Sequence, residues 1–320
     1  MTVRTGALLA CLTVVLGACS NGGSGSGGAT GGTGGGTGVT TQQAAPPPPI
    51  LFSLPAEQEI TLSQKGTRFR SVDGTGPDAE GGAVFRNFDA ANLVKKAQRE
   101  DFSVFRYASA PNSLSDNLRI FTLAPAAIDG QAVLRGTGQD RDVRPGRVDE
   151  RDFQVDEIRQ TFSIYGLLEV DERRPEYGTF KNLHAFAGGI DVAPGGLPAV
   201  AVQYNGSFIG FLVDPTNGTF SRTGGTATLD VDFAAVANQV TGLITLDGTV
   251  ANSLTLNGGL VGSGFSGLAS VNADAGDTLA NGTLGQMDGQ INGLLGEEAT
   301  GTVQIETPSA VLTGAFGGTR

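Results

Sequence analysis

From Ala199 to the C terminus, short apolar or alternating runs are separated by Asx-Gly pairs. The run 226–233 shows the pattern most clearly. Thr228, Asp230 and Asp232 alternate with Leu229, Val231 and Phe233, a period of two that puts one row of side chains on each face of a strand. Ranges 240–246, 253–256, 264–271, 289–294, 301–306 and 311–316 read the same way. Asn205-Gly206 stands between 199–204 and 207–213; both residues tolerate positive φ, so the pair predicts a two-residue hairpin. Asn217-Gly218, Asp247-Gly248, Asn257-Gly258, Asn281-Gly282, Asp288-Gly289 and Asn292-Gly293 predict further turns. The spacing predicts an antiparallel meander, and closing it into a barrel is the simplest way to cover so many strand edges. With upstream strands at 160–170 and 178–192, this gives an eight-stranded antiparallel β-barrel over residues 151–320, its interior filled by Leu, Val and Phe.

Residues 50–150 read as a mixed β/α handle or cap. Strands are predicted at 59–62, 67–72, 83–88, 102–107, 118–123 and 131–135, and one helix at 90–99 with Asp89 as its N-cap. The highly charged stretch 141–151, with Pro145-Gly146 inside it, is read as the boundary between handle and barrel. The fold class is therefore mainly β.

The first residues carry an address. Arg4 is followed by an apolar run over 7–16, too short to span a bilayer, and then by small residues of the kind a signal peptidase accepts. Leu16-Gly17-Ala18-Cys19 resembles the bacterial lipobox, which implies that residues 1–18 are a signal peptide and that Cys19 is the lipid-attachment site and new N-terminus. Residues 19–49 form a Gly/Ser/Thr-rich tether that ends in Pro46-Pro47-Pro48-Pro49; a coil of about 24 such residues has a root-mean-square span of ~25 Å, and the prolines stiffen its end. Two acyl chains make a stable anchor. Cys11 leaves with the signal peptide and Cys19 is acylated, so no cysteine remains for a disulfide or a metal. Asn21 is not the aspartate that marks inner-membrane retention in enteric bacteria, so the expected location is the outer membrane, at the cell surface or on its periplasmic face.

Composition and charge remove several functions. With 50 glycines in 320 residues and no Gly-X-Y period, the chain is neither collagen nor mostly helical. Its net charge is −11, and no Lys or Arg occurs between Thr223 and Thr319, which argues against nucleic acid as a partner. Catalysis lacks its groups: the one histidine, His184, sits in a strand pattern as a structural residue, with no thiol or serine motif beside it. Gly262-Ser263-Gly264-Phe265-Ser266-Gly267 matches a dinucleotide-loop pattern but lies in strand grammar and reads as turn glycines. Asn272-Ala273-Asp274-Ala275-Gly276-Asp277 lacks the downstream bidentate acid of a calcium loop and reads as a solvated turn. No enzyme, cofactor or metal is expected. The candidate recognition residues are Phe102, Phe105, Arg106 and Tyr107, because aromatics and Arg are enriched at binding hot spots; the same alternation also fits a core strand.

Between residues 180 and 320 a resemblance emerges. Tyr204-Asn205-Gly206-Ser207-Phe208-Ile209-Gly210, Gly289-Gln290-Ile291-Asn292-Gly293-Leu294-Leu295-Gly296 and the terminal Gly314-Ala315-Phe316-Gly317-Gly318-Thr319-Arg320 resemble the barrel domain of transferrin-binding protein B-like surface lipoproteins. Leu294-Leu295 replaces an aromatic pair common in that family, and one barrel stands where the transferrin receptor component has two lobes. The resemblance implies an outer-membrane lipoprotein that captures an extracellular macromolecule, or an iron- or haem-bearing ligand, for an outer-membrane transporter. A structural or adhesion lipoprotein of the envelope without a soluble ligand is the alternative.

Overall fold

The computed structural model describes residues 60–70, 86–88, 93–99, 102–107, 118–144, 147–174 and 178–320, except 217, 235–238 and 247–249. No helix occurs among the described residues. The handle is one antiparallel sheet of ten strands. They are β1 (Ile60–Thr61), β2 (Ser63–Arg70), β3 (Arg86–Phe88), β4 (Leu93–Arg99), β5 (Phe102–Tyr107), β6 (Leu118–Ile128), β7 (Gln131–Arg144), β8 (Arg147–Arg159), β9 (Ser163–Arg174) and β10 (Gly178–Gly189). Their spatial order is β1-β4-β5-β6-β7-β8-β9-β10-β2-β3. Eight further strands close into an antiparallel barrel in sequence order: β11 (Ala201–Val213), β12 (Phe220–Asp232), β13 (Gln239–Leu246), β14 (Ser253–Val261), β15 (Gly264–Asn272), β16 (Leu284–Asn292), β17 (Glu298–Glu306) and β18 (Val311–Thr319).

The closed eight-stranded barrel agrees with the sequence reading, but its strands do not start where expected. Residues 163–174 and 178–189 pair within the handle, and all eight barrel strands come from 201–319. The expected boundary at 150/151 falls inside β8; the stretch 141–151 is part of the β7–β8 hairpin, with Arg144 opposite Arg147. Its charged residues therefore belong to two paired strands rather than to a linker. The helix expected over 90–99 is corrected as well. Residues 93–99 are β4, held between β1 and β5, so ladder pairing on both sides overrides helical propensity. Its expected cap, Asp89, lies outside the described residues.

Glycine explains the third difference. Asn205-Gly206 is not a hairpin: β11 runs through it, and Gly206 lies where a Cβ would meet the Gly317 carbonyl oxygen at 1.9 Å. Inside the barrel, phenylalanine rings lie over glycines of neighbouring strands. A Cβ on Gly314 would come within 2.3 Å of the Phe208 ring, one on Gly289 within 2.2 Å of Phe265, and one on Gly301 within 2.6 Å of Phe316. Leu229, Val231, Ile244, Leu254, Val303 and Leu312 fill the remaining interior, so the barrel is a packed core.

β18 is buried on both faces. Leu312 and Phe316 point into the barrel, while Val311 and Ala315 join Ile209 and Phe211 of β11 against Leu167, Leu183 and Ala185 of the handle. The far face of the handle has its own core around Phe121, Phe153, Val155, Leu168 and Phe186. β6 links the two halves of the handle. It pairs with β5 up to Thr122 and with β7 from Leu123, so Pro125, which has no N–H to donate, lies beyond the β5 ladder.

Candidate functional site

The seam between handle and barrel is polar and specific. Glu298, at the start of β17, is buried and accepts hydrogen bonds from the backbone N–H of Thr161 (2.7 Å), the N–H of Phe162 (2.9 Å) and the Ser163 hydroxyl (2.7 Å). Tyr165 and Ser207 share a hydrogen bond of 2.6 Å between their hydroxyls, and burial pushes the Tyr165 phenol up to about 12. The Gly224 N–H donates to Asp129 Oδ2 (3.0 Å), and Lys65 pairs with Asp288 (2.7 Å). These contacts tie β11, β12, β16 and β17 of the barrel to three segments of the handle: β2, the β6–β7 turn and residues 161–165.

Beside the seam, on the barrel-facing side of the handle, lies an open hollow of about 470 Å³ lined by Thr137, Gln139, Asp152, Gln154, Glu169 and Asp171, with Phe153 and Gly138. Strand alternation places these side chains, because β7, β8 and β9 are adjacent and each contributes every second residue. A charged lattice stands next to it. Arg222 of β12 bonds Asp156 through Nε (3.0 Å) and Glu169 through Nη2 (2.6 Å). Lys181 of β10 bonds Glu169 (2.7 Å) and Asp171 (2.6 Å), and Arg135 bonds the other oxygen of Asp156 (2.5 Å). Burial pulls the Lys181 ammonium down, but Asp171 and Glu169 outweigh it, so its pKa lies above the ordinary lysine value. Both cations also lie against aromatic faces. Lys181 Nζ is 5.0 Å from the Phe220 ring centre, and the Arg222 guanidinium carbon is 5.3 Å from Phe211 and 5.7 Å from Phe220. The arrangement offers a partner the side chains of Thr137, Gln139, Asp152 and Gln154 beside two carboxylates, Glu169 and Asp171, that Lys181 and Arg222 hold in place.

Of the residues singled out in the sequence, Phe102, Phe105, Arg106 and Tyr107 form β5 between β4 and β6, with Phe105 opposite Arg119 and Arg106 opposite Leu118. Their side chains and Cys19 lie outside the described residues. Gly262 has φ +63 at the tip of the β14–β15 hairpin, as expected of a turn glycine. In the stretch 272–277, Asp277 Oδ2 accepts the N–H of Asp274 (2.8 Å), which makes it a turn. The hollow and its charged lattice were not singled out from the sequence. Their signal is a charged or amide side chain at every second residue over 150–156 (Glu150, Asp152, Gln154, Asp156) and 169–173 (Glu169, Asp171, Arg173), together with Arg222 as the last cation before a long stretch without one.

His184 lies in β10 with 1% of its surface exposed, and burial holds its pKa down at about 3. Its folded-state pKa is below the unfolded value of 6.5, so its contribution to stability is complete above pH 6.5 and is lost as pH falls from 6.5 toward 3. Between pH 7 and pH 5 this amounts to about 2 kcal/mol. Urea titrations at the two pH values measure it, and His184→Gln is expected to remove most of the difference. An equal pH dependence in the variant would rule out His184 as its source.

No protein-family model matches the sequence, and no curated protein matches it. Among solved structures the chain is similar to transferrin-binding protein B from Haemophilus parasuis Hp5, at 12% identity over 83% of this chain and 76% of that chain, with a TM-score of 0.40. It is similar to a surface lipoprotein at 15% identity over 79% of this chain and 97% of that chain, TM-score 0.38. It is also similar to the haemoglobin receptor HpuA from Kingella denitrificans, at 16% identity over 85% of this chain and 89% of that chain, TM-score 0.36.

Proposed function

We propose that this chain is an outer-membrane lipoprotein, anchored through a diacylated Cys19, whose body captures an extracellular macromolecule or an iron- or haem-bearing ligand without converting it, and presents it to an outer-membrane transporter. The observation that carries this reading is the braced hollow on the handle. Its acceptors are held by ion pairs and strand pairing before a partner arrives, which lowers the ordering cost of association. The barrel beneath is filled with side chains and supports the handle as a rigid base. Exposed carboxylates and amides suit the basic and hydrogen-bonding side chains of a protein surface. Phe102, Phe105, Arg106 and Tyr107 are proposed as further contacts on residue type.

Two measurements on intact cells test the reading. Protease shaving is expected to remove the body while a periplasmic control survives, and Cys19→Ala is expected to release the protein from the membrane fraction. Labelled human haemoglobin and iron-loaded human transferrin are the binding probes. One of them is expected to bind saturably, and the double variant Gln139→Arg/Asp152→Arg, which reverses charge in the hollow, is expected to weaken binding at least tenfold. Full protection from protease together with no binding of either probe would overturn capture and leave the structural envelope reading.

A further inference from the structure

Seven large apolar side chains are exposed among the described residues, and four of them gather at one end of the barrel. Val200 is 63% exposed just before β11, Val261 is 87% exposed at the β14–β15 tip, and Leu294 and Leu295 are 55% and 58% exposed between β16 and β17. The segments that carry them are held by hydrogen bonds. The Ile291 N–H donates to Ser263 O (2.7 Å), the Tyr204 hydroxyl to Gly296 O (2.9 Å) and the Leu295 N–H to Glu297 Oε2 (2.9 Å). The loops are therefore fixed in a form that turns leucine and valine toward solvent, an arrangement that costs free energy unless something covers it.

The described chain begins at this same end. Ser63, at the start of β2, is opposite Ala187 of β10, and β10 ends two residues later at Gly189. A Cβ on Gly189 would meet the Asn292 side chain at 2.5 Å, and Asp191 bridges to Asn292 at the end of β16. Residues 19–59 thus precede a strand that starts beside the apolar rim. The tether expected over residues 19–49, with a coil span of ~25 Å, leads into the body at this end, which places the rim on the side from which the anchor approaches.

We infer that the rim of Val200, Val261, Leu294 and Leu295 rests in the interface of the bilayer that holds the anchor, an inference that depends on the proposed lipidation of Cys19. The contact is apolar and shallow. Arg320 is the only cation of the barrel beyond Arg222, while Asp232 and Glu297 flank the rim, so attraction to anionic headgroups contributes little and zwitterionic lipid suffices. Docked this way, the body holds the far half of β9, with Glu169 and Asp171 of the hollow, away from the membrane, because β9 starts at the Glu298 seam near the rim.

The lipidated full chain in phosphatidylcholine vesicles provides the test. Acylation leaves Cys19 without a thiol, so Val261→Cys, Leu295→Cys and Thr216→Cys each carry one reactive cysteine for a fluorophore; Thr216 lies in the β11–β12 loop at the opposite end. All three positions are exposed, and circular dichroism checks that the fold is kept. Nitroxide-labelled phosphatidylcholine is expected to quench the probes at 261 and 295 at least threefold and to leave the probe at 216 unchanged. Equal fluorescence at all three sites in protein that floats with the vesicles would overturn the inference and leave the rim to a protein partner. Failure to float, with Cys19→Ala behaving the same, would instead remove the anchor reading and this inference with it.

Discussion

Gly314→Val is expected to destabilise the protein by at least about 3 kcal/mol, whereas Gly259→Val, also in a barrel strand, is expected to change stability by less than about 0.5 kcal/mol. Gly314 in β18 faces the barrel interior, where the Phe208 ring occupies the volume a Cβ would take, at 2.2–2.3 Å. A valine there must displace a fully buried phenylalanine that is itself packed beside Gly210 and opposite Phe316. That combines overpacking with the loss of the ring's contacts, and neither neighbour can yield in a closed sheet. A Cβ on Gly259 in β14 would meet nothing within 4 Å, so a valine there enters open space and adds a β-branched residue suited to a strand. Urea unfolding at pH 7 measures both. Similar losses in the two variants would mean that glycine is used in this barrel for backbone freedom rather than for space.

The same distinction explains what could be read from the sequence. An Asx-Gly pair has one appearance and two physical uses here. At Asn217-Gly218, Asn281-Gly282 and Asn292-Gly293 the glycine has φ between +70 and +89 and the chain turns, as read. At Asn205-Gly206, Asn257-Gly258 and Asp288-Gly289 the chain stays extended, because a neighbouring carbonyl or the Phe265 ring fills the Cβ position. Only the partner strand distinguishes the two, and a linear pattern does not name the partner. Asp129-Gly130, with φ +43 and +81, is a two-residue hairpin between β6 and β7 that carried the same signal at the end of a strand read only as far as 123. Closure into a barrel was legible because alternation and spacing persist over β12 to β18, but the count of eight had been reached with 160–170 and 178–192, which pair within the handle. The assignment of residues 163–189 to the handle was not, since strands with the same period serve either sheet.

The candidate site was legible in its parts but not in its assembly. Every second residue of β8 and β9 is charged or amidic over the relevant stretch, which marks one polar face. Nothing local shows that Arg222, more than fifty residues from Glu169, bonds it, or that Phe211 and Phe220 frame its guanidinium. Those contacts exist because β11 and β12 of the barrel dock against β9 and β10.

Glu298→Ala is expected to cost about 3 kcal/mol, because it removes the side-chain acceptor of two partly buried backbone N–H groups, those of Thr161 and Phe162, and one of the two acceptors, with Gln160, at the buried Ser163 hydroxyl. Glu297→Ala, one residue away and only partly buried, removes an acceptor for one exposed backbone N–H and is expected to cost less than about 1 kcal/mol. Glu298→Gln should fall between Glu298→Ala and the native chain. Burial raises the Glu298 pKa above the ordinary value even though Ser163, Phe162 and Thr161 hydrogen-bond its charged form, so a neutral amide avoids part of the desolvation cost while keeping one acceptor oxygen. The sign of its pH dependence is opposite to that of His184. A carboxyl whose folded pKa is raised contributes stability that is present below its unfolded value and lost as pH rises through the folded one. In a His184→Gln background, acidification toward pH 5 is therefore expected to leave stability unchanged or slightly higher, and adding Glu298→Gln should remove that rise. If Glu298→Ala instead unfolds no more easily than Glu297→Ala in urea at pH 7, the handle is held to the barrel by the apolar contacts of β18 and β11 and by the remaining polar contacts of the seam, and the Glu298 carboxylate contributes nothing to their register.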